Sequence, residues 1–325
     1  MLPPFSYVRA TTLEEALEHL GAEGARPSAG GSDLIGCLRD EVFACPKVVS
    51  LSRVAELKGI ERIGDAGVRI GALTTIAEVA GNPLLKQRYT ALTQAAAAVA
   101  SPQLRNQGTI GGNICQKPRC WYYRGEFHCL RKGGTTCYAL AGENQFHAVL
   151  GGARCYIVHP SDTAPALVAL GAGVRIAGPQ GRRLVPLAEF HVPPSTDPQR
   201  ETVLEPGELV IEITLPAPAP GLRSSYRKVR ARGSWDFSLA GVALALQFDG
   251  DRVVAGRVVL SGAAPIPWRS AEAEAAITGQ RLDQATARAA AEAAMQSAVA
   301  LKRNGYKIPL FKGVIEEELL RLAGA

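Results

Sequence analysis

The chain is 325 residues long, 47% hydrophobic and 20% charged, which suggests about two domains at roughly 150 residues each and ample length for buried cores. Gly (34) and Pro (21) stay below the low-complexity range, which excludes a disordered or fibrous chain. Lys and Arg exceed Asp and Glu by six (36 against 30) without any long basic block, which argues against a nucleic-acid partner, and no run approaches the ~18 consecutive apolar residues of a membrane span. Residues 1–7, beginning at Met1, lack a basic stretch followed by an apolar one, so no signal peptide is read and a cytoplasmic protein is expected. Seven cysteines are then the oddity, because thiols in that compartment are usually buried or chemically employed.

Residues 11–20 carry Leu13, Ala16, Leu17 and Leu20 at helical spacing, and Thr12 three positions before Glu15 reads as a capping box. Residues 26–33 break this pattern with a Gly pair, and 48–51 and 68–72 read as strands. The Ala-rich residues 84–100 predict one helix ending at Ser101-Pro102, after which 106–152 hold the densest Gly and Cys content with little periodicity. A helix is expected through 164–170, then strands at 173–178 and 209–215. The Pro-rich 215–221 is the best domain boundary, since proline stiffens a linker and stays out of sheet interiors. Beyond it, 240–248 and 252–262 read as strands flanking Asp249-Gly250-Asp251, a tight hairpin signal. Helices are expected at 270–278, 282–301 and 314–322, giving an α+β class.

Four segments could carry chemistry. In 27–33 (PSAGGSD) adjacent glycines let successive N–H groups converge on an anion ahead of a helix start, although most Gly-Gly turns are purely structural. In 101–115, Gly108, Gly111 and Gly112, bracketed by Thr109 and Asn113, make a concavity that could cradle a pyrophosphate, or a turn with an Asn cap. In 159–163, Ser161 or Asp162 caps the helix that follows, or Asp162 accepts hydrogen bonds from a cofactor's ribose or ribityl hydroxyls. The fourth is Cys115, Cys120, Cys129 and Cys137, spaced C-x4-C-x8-C-x7-C. Clustered thiols in such a chain read as metal ligands before disulfides, and both an iron–sulfur cluster and a structural zinc take four of them. The wide spacings lean toward iron–sulfur. Cys37, Cys45 and Cys155 default to buried and inert.

Taken in order, Ala29-Gly30-Gly31-Ser32-Asp33, Ile70-Gly71-Ala72-Leu73-Thr74-Thr75, Arg105-Asn106-Gln107-Gly108-Thr109-Ile110-Gly111-Gly112-Asn113 and Pro160-Ser161-Asp162-Thr163-Ala164-Pro165-Ala166-Leu167 form a set that resembles the FAD-binding medium subunit of molybdenum hydroxylases. That group holds xanthine dehydrogenases, aldehyde oxidoreductases, carbon monoxide dehydrogenase and 4-hydroxybenzoyl-CoA reductase. The likeness spans nearly the whole chain, from Pro4-Phe5-x-Tyr7 through Lys228-Val229-Arg230-x-Arg232 with Asp236-Phe237 to Leu260-Ser261-Gly262-Ala263-Ala264-Pro265.

The resemblance implies a two-part FAD-binding domain of the vanillyl-alcohol-oxidase kind over 1–219, with subdomains of about 1–55 and 56–219 and a Cys-rich loop at 115–147. A C-terminal domain of a small antiparallel sheet with helices would follow over 220–325. It also implies that Ala29, Gly30, Gly31, Ser32, Asp33 and Leu34, with Thr109, Gly111, Gly112 and Asn113, hold the FAD pyrophosphate, with Ser28, Asn106 and Ser161 beside them. Asp162 would meet the cofactor's hydroxyls, and Lys228 would approach it.

Medium subunits of the aldehyde oxidoreductase and 4-hydroxybenzoyl-CoA reductase kinds are described as binding an additional [4Fe-4S] cluster. The loop here, Arg119-Cys120-Trp121-Tyr122-Tyr123-Arg124 with Gly142-Glu143-Asn144 and His147-Ala148, is more like the former. Four thiolates would then be Cys115, Cys120, Cys129 and Cys137, with His128 or His147 as substitutes for Cys115. No catalytic residue is implied.

The implied role is an electron-transfer subunit of a heterotrimer. A molybdenum-cofactor large subunit oxidises an aldehyde or N-heterocycle, a [2Fe-2S] small subunit relays electrons, and FAD here passes them to an external acceptor. Co-export with a twin-Arg-bearing partner would make it periplasmic. The alternatives are a medium subunit of a 4-hydroxybenzoyl-CoA reductase-like enzyme, a zinc-stabilised assembly protein, and a self-sufficient flavin oxidoreductase with a redox disulfide.

Overall fold

A computed structural model describes residues 2–64 and 67–324; Met1 and Ala325, the outer limits of the two expected domains, lie outside the described residues. The first sheet contains β1 (Ser6–Arg9), β2 (Arg26–Ser28) and β3 (Lys47–Ser50), ordered β1-β3-β2 and parallel throughout. Parallel neighbours need crossovers, which the helices Leu13–Leu20 and Leu34–Arg39 supply. Leu13, Ala16 and Leu20 bury against Val49 and Leu51. The expected capping box is only half formed: Thr12 accepts from Glu15 N at 3.2 Å, but the Glu15 carboxylate takes Thr11 N at 2.7 Å.

The second sheet holds β4 (Ile60–Ile63), β5 (Gly67–Gly71), β6 (Gly173–Gly178), β7 (Gly181–Pro186) and β8 (Leu209–Leu215), antiparallel in the order β4-β5-β8-β6-β7. Strand β8 is buried on both faces. Leu209 and Ile211 join the first sheet's core, while Val210, Ile213 and Leu215 join the core formed with helices Thr90–Ala98 and Thr163–Ala169.

The third sheet holds β9 (Leu222–Val229), β10 (Ala240–Asp249), β11 (Arg252–Ser261) and β12 (Trp268–Arg269). Its β10–β11 hairpin closes through Gly250, φ +57°, with Asp249 opposite Arg252. Alternation along β10 divides its contacts. Val242, Leu244 and Leu246 pack with Phe311, Ile315 and Leu319 of the last helix, Lys307–Ala323, while Ala243 and Ala245 join the core of the second sheet.

The structure departs from the periodicity in two helices. Residues 84–100 form two, Pro83–Arg88 and Thr90–Ala98, parted at Tyr89, whose buried ring carries a hydroxyl donating to Pro216 O at 2.7 Å. The helix expected over 282–301 is Gln284–Ala294, because the chain beyond turns back: Val299 N donates to Val149 O (2.8 Å) and Leu301 N to Asn304 Oδ1 (2.6 Å). Strand β7, exposed along most of its length, has no buried alternation to read. Among the described residues no helix is long and apolar enough to cross a membrane.

Candidate functional site

A cavity of about 1040 Å³ opens onto both glycine loops and a segment of the C-terminal half, at the upper end of the ~300–1,000 Å³ typical of ligand pockets. Ser28, Ala29, Gly30, Gly31, Ser32, Asp33 and Leu34 line it, with Thr109, Gly111, Gly112, Asn113 and Asp162; Asn106, Ser161 and Lys228 are not on its wall. Leaving β2, the chain turns at Gly31, φ +72°, a conformation that favours glycine. A Cβ on Gly30 would lie 1.9 Å from Gln107 O, and Gln107 Nε2 donates to Gly30 O at 3.0 Å, so the two loops touch backbone to backbone.

The two loops differ in what they offer a ligand. The amides of Gly30, Gly31, Ser32 and Asp33 engage no acceptor among the described residues and stand open as anion donors. In the second loop Ile110, Gly111, Gly112 and Asn113 donate instead to Thr74 O, Ala72 O, Thr109 Oγ1 and Thr109 O. Its glycines serve close packing, since a Cβ on Gly111 would lie 2.8 Å from that of Ala72.

Three expected ligand-contacting residues have side chains engaged by the protein. Ser161, not Asp162, caps helix Thr163–Ala169, accepting from Ala164 N at 2.9 Å and donating to Asn113 Oδ1 at 2.6 Å. Asp162 accepts from Tyr226 Oη and Lys228 Nζ, each at 2.7 Å. Burial pushes its pKa up, and Lys228 opposes that rise. Asp33 accepts from Lys117 N (2.8 Å), Arg124 Nη2 (2.7 Å) and Arg119 Nη1 (2.9 Å), which ties the first loop to the Cys-rich segment.

Sequence reasoning missed Ala100 and Trp235. Both line the cavity at positive φ (39° and 52°), and Trp235 N donates to Ala100 O at 3.0 Å. Strained non-glycine pairs of this kind leave no mark in composition or spacing.

A second cavity, about 20 Å³, is lined by Cys120, Cys129, Cys137 and Cys155 together with His147 and Arg131. Cys155, expected to be inert, lines this cavity, and Cys115, expected with the other three, does not. Cys115 ends helix Ile110–Ile114 and faces the large cavity, its thiol pushed up to about 12 by burial. The short helix carries Cys115 into the wall of that cavity, whereas the chain folds back after Gly151 (φ +62°) so that Ala148 N reaches Tyr156 O at 2.8 Å. That return brings in Cys155.

Three of the four thiols occupy equivalent local positions, each preceding a single turn: Cys120 before Trp121–Arg124, Cys129 before Leu130–Lys132 and Cys137 before Tyr138–Leu140. A hydrogen bond from the Cys137 thiol lowers Cys155, against the effect of burial, and Arg131 adds to the lowering. Cys120 Sγ lies 3.2 Å from His147 Nε2; burial pushes that thiol up to about 11 and the imidazole down to about 4. His128 does not line this cavity. Among the described residues no three His, Cys, Asp or Glu side chains are gathered closely enough to hold a single metal ion.

Residues 3–218 match the FAD binding domain in molybdopterin dehydrogenase, and 224–307 the CO dehydrogenase flavoprotein C-terminal domain. The chain is 39% identical over 279 residues to the aldehyde oxidoreductase FAD-binding subunit PaoB of Escherichia coli (strain K12), covering 84% of this chain and 86% of that one. It is 30% identical over 300 residues to the carbon monoxide dehydrogenase medium chain of Hydrogenophaga pseudoflava, covering 91% and 88%. The solved carbon monoxide dehydrogenase from Hydrogenophaga pseudoflava that lacks the Mo-pyranopterin moiety superposes with a TM-score of 0.79 at 28% identity, over 100% of this chain and 98% of that one.

Proposed function

Because the chain belongs to the family of FAD-binding medium subunits of the molybdenum hydroxylases, we propose that it is the electron-transfer flavoprotein of a heterotrimer. Its partners are a molybdenum-cofactor large subunit, which oxidises an aldehyde, and a [2Fe-2S] small subunit; FAD on this chain delivers the electrons to an external acceptor. The 39% identity to an aldehyde oxidoreductase subunit favours an aldehyde over an N-heterocycle.

The observation that carries the reading is the large cavity with its row of open amides. Gly30, Gly31, Ser32 and Asp33 would take the pyrophosphate through their N–H groups, with Ser28, Ala29, Leu34, Thr109, Gly111, Gly112 and Asn113 shaping the wall. Bound FAD supplies electron exchange, and the protein supplies its position and surroundings. Ser161 and Lys228 act from behind the wall, through Asn113 and Asp162. No side chain is assigned as acid, base or nucleophile, so the chain alone should not turn over substrate.

An additional [4Fe-4S] cluster is proposed in the small cavity, held by Cys120, Cys129, Cys137 and Cys155, a thiolate set such clusters use. The present space of about 20 Å³ is that of roughly one water, so a cluster would replace the Cys137–Cys155 thiol contact rather than sit beside it. The test is iron, acid-labile sulfide and flavin per chain in the assembled complex. Wild type should contain both cofactors; Cys155→Ser should lose iron and keep flavin, and Cys115→Ser should keep its iron. Iron lost from Cys115→Ser but retained in Cys155→Ser overturns the ligand set. A colourless wild type carrying zinc overturns the whole reading, as does substrate oxidation by the isolated chain.

A further inference from the structure

Arg131 is buried, its side chain 2% exposed, and it lines the small cavity beside the four cysteines. Its Nη1 donates to Glu201 Oε1 at 2.9 Å and to Arg200 O at 3.2 Å, while its Nε is buried without a partner. A buried guanidinium N–H left unpaired is costly, and orphans of this kind call for an explanation. The cavity itself offers sulfur. Glu201 is shared, pairing on its other oxygen with Lys117 Nζ, and both Glu201 and Lys117 line the large cavity. Arg131 and Lys117 thus share one carboxylate, so the three side chains together carry one formal positive charge, and between them they line both cavities.

Resting on the cluster assignment above, we propose that Arg131 is the cluster's built-in charge partner, its free Nε–H directed to the sulfurs, and that Glu201 and Lys117 extend this charge to the flavin cavity, so that both redox centres sit on one electrostatic element. A fixed cation in a low-dielectric site favours the more negative, reduced form of an anionic cluster. Arg131 is therefore a tuning residue, whose removal changes how readily the cluster accepts an electron rather than whether it is held.

The experiment is a reductive titration of the assembled complex, following the cluster by electron paramagnetic resonance and the flavin by visible absorption. In Arg131→Met the oxidised-to-reduced ratio of the cluster at fixed potential should rise at least tenfold, a downward shift of 59 mV for a one-electron couple. Arg131→Lys, which keeps the charge, should recover most of that shift. Glu201→Gln, which leaves the cations less neutralised, should move both cluster and flavin toward reduction. Should the Met variant fail to load its cluster, the Lys and Gln variants decide. An iron-loaded Arg131→Met with an unchanged ratio overturns the proposal, as does a Glu201→Gln variant in which neither centre moves; a shift of the cluster alone overturns the shared element. A wild type without iron overturns the underlying cluster assignment, a result distinct from a loaded cluster indifferent to Arg131.

Discussion

The two cavities are built by opposite means. The large one is made by backbone: open amides at Gly30–Asp33, a left-handed turn at Gly31, and a contact between loops so close that a Cβ on Gly30 would sit 1.9 Å from Gln107 O. The small one is made by side chains, three thiols each preceding a single turn and a fourth on a returning loop, packed around about 20 Å³. A backbone site fails when anything is added to it, and a side-chain site fails when something is taken away. Asp33 ties the first loop to the Cys-rich segment, its one carboxylate holding Arg119, Arg124 and the Lys117 amide.

The sharpest separation should come from Gly30→Val. Its clash is with the main chain of Gln107 and Gly108, which cannot rotate away, so a loss of about 3 kcal/mol or more is expected together with at least a tenfold fall in flavin content. Iron per chain should stay near that of wild type. Gly81→Ala, where a Cβ meets nothing within 4 Å, should change stability by less than about 0.5 kcal/mol. Iron lost in parallel with flavin in Gly30→Val would break the comparison and make the two cavities one cooperative unit.

Comparable in stability is the loss expected from Lys228→Met. Asp162 and Lys228 are 5% and 4% exposed, and stranding a buried carboxylate costs about 3–5 kcal/mol, read as a lower denaturant midpoint. The double variant Asp162→Asn, Lys228→Met should recover much of this loss, because no charge is left buried. Equal losses in the single and double variants would mean that packing, not the ion pair, holds this wall.

The contrast between the cavities also explains what could be read from the chain. Gly30-Gly31 and Gly111-Gly112 advertise themselves because close approach and positive φ constrain residue type at the position itself. The motif order placed both loops on one cavity, and β6 and β8 followed from local alternation. Cys155 carries no such mark. It joins the other thiols only because the chain reverses after Gly151, a tertiary event, while Cys115, nearer in sequence, is carried off by a five-residue helix. For the same reason the roles of Asp33, Asp162 and Arg131 could not be read, since each is set by partners many positions away. Two helices that composition alone would continue stop at Arg88 and Ala294, and Tyr89 and Val299 beyond them bond to distant backbone.

Acid should act on both cavities together. His159 and His191 are buried ring to ring, centroids 4.2 Å apart, and His191 Nε2 lies 3.0 Å from Ile114 O, one residue before Cys115. Burial holds His191 down to about 4 and His159 well below its usual value. An imidazole lowered on folding contributes stability that is fully present above its unfolded value of about 6.5 and is lost as pH falls through its folded value. For His191 that window is about 6.5 to 4, and at pH 5 the loss is ~2 kcal/mol. His191→Gln should flatten the fall in denaturation midpoint between pH 7 and 5. Flavin and iron should be released together in wild type on acidification; flavin leaving alone would restore the separation between the cavities.

A smaller effect on the site is expected from Ser161→Ala, and it tests whether the second loop contributes by position rather than by donors. Ser161 Oγ accepts from Ala164 N and donates to Asn113 Oδ1, while Thr163 Oγ1 donates to the same oxygen at 2.7 Å. Removing the hydroxyl deletes the helix cap, worth about 1 kcal/mol, and one of the two bonds that fix Asn113. Stability should fall by that amount and flavin affinity about fivefold, since 1.4 kcal/mol corresponds to tenfold, with iron unchanged. A flavin loss as complete as that expected for Gly30→Val would mean that the orientation of Asn113, more than the amides of the first loop, is what the cofactor depends on, and the second loop would then rank as a ligand-contacting surface rather than a packing one.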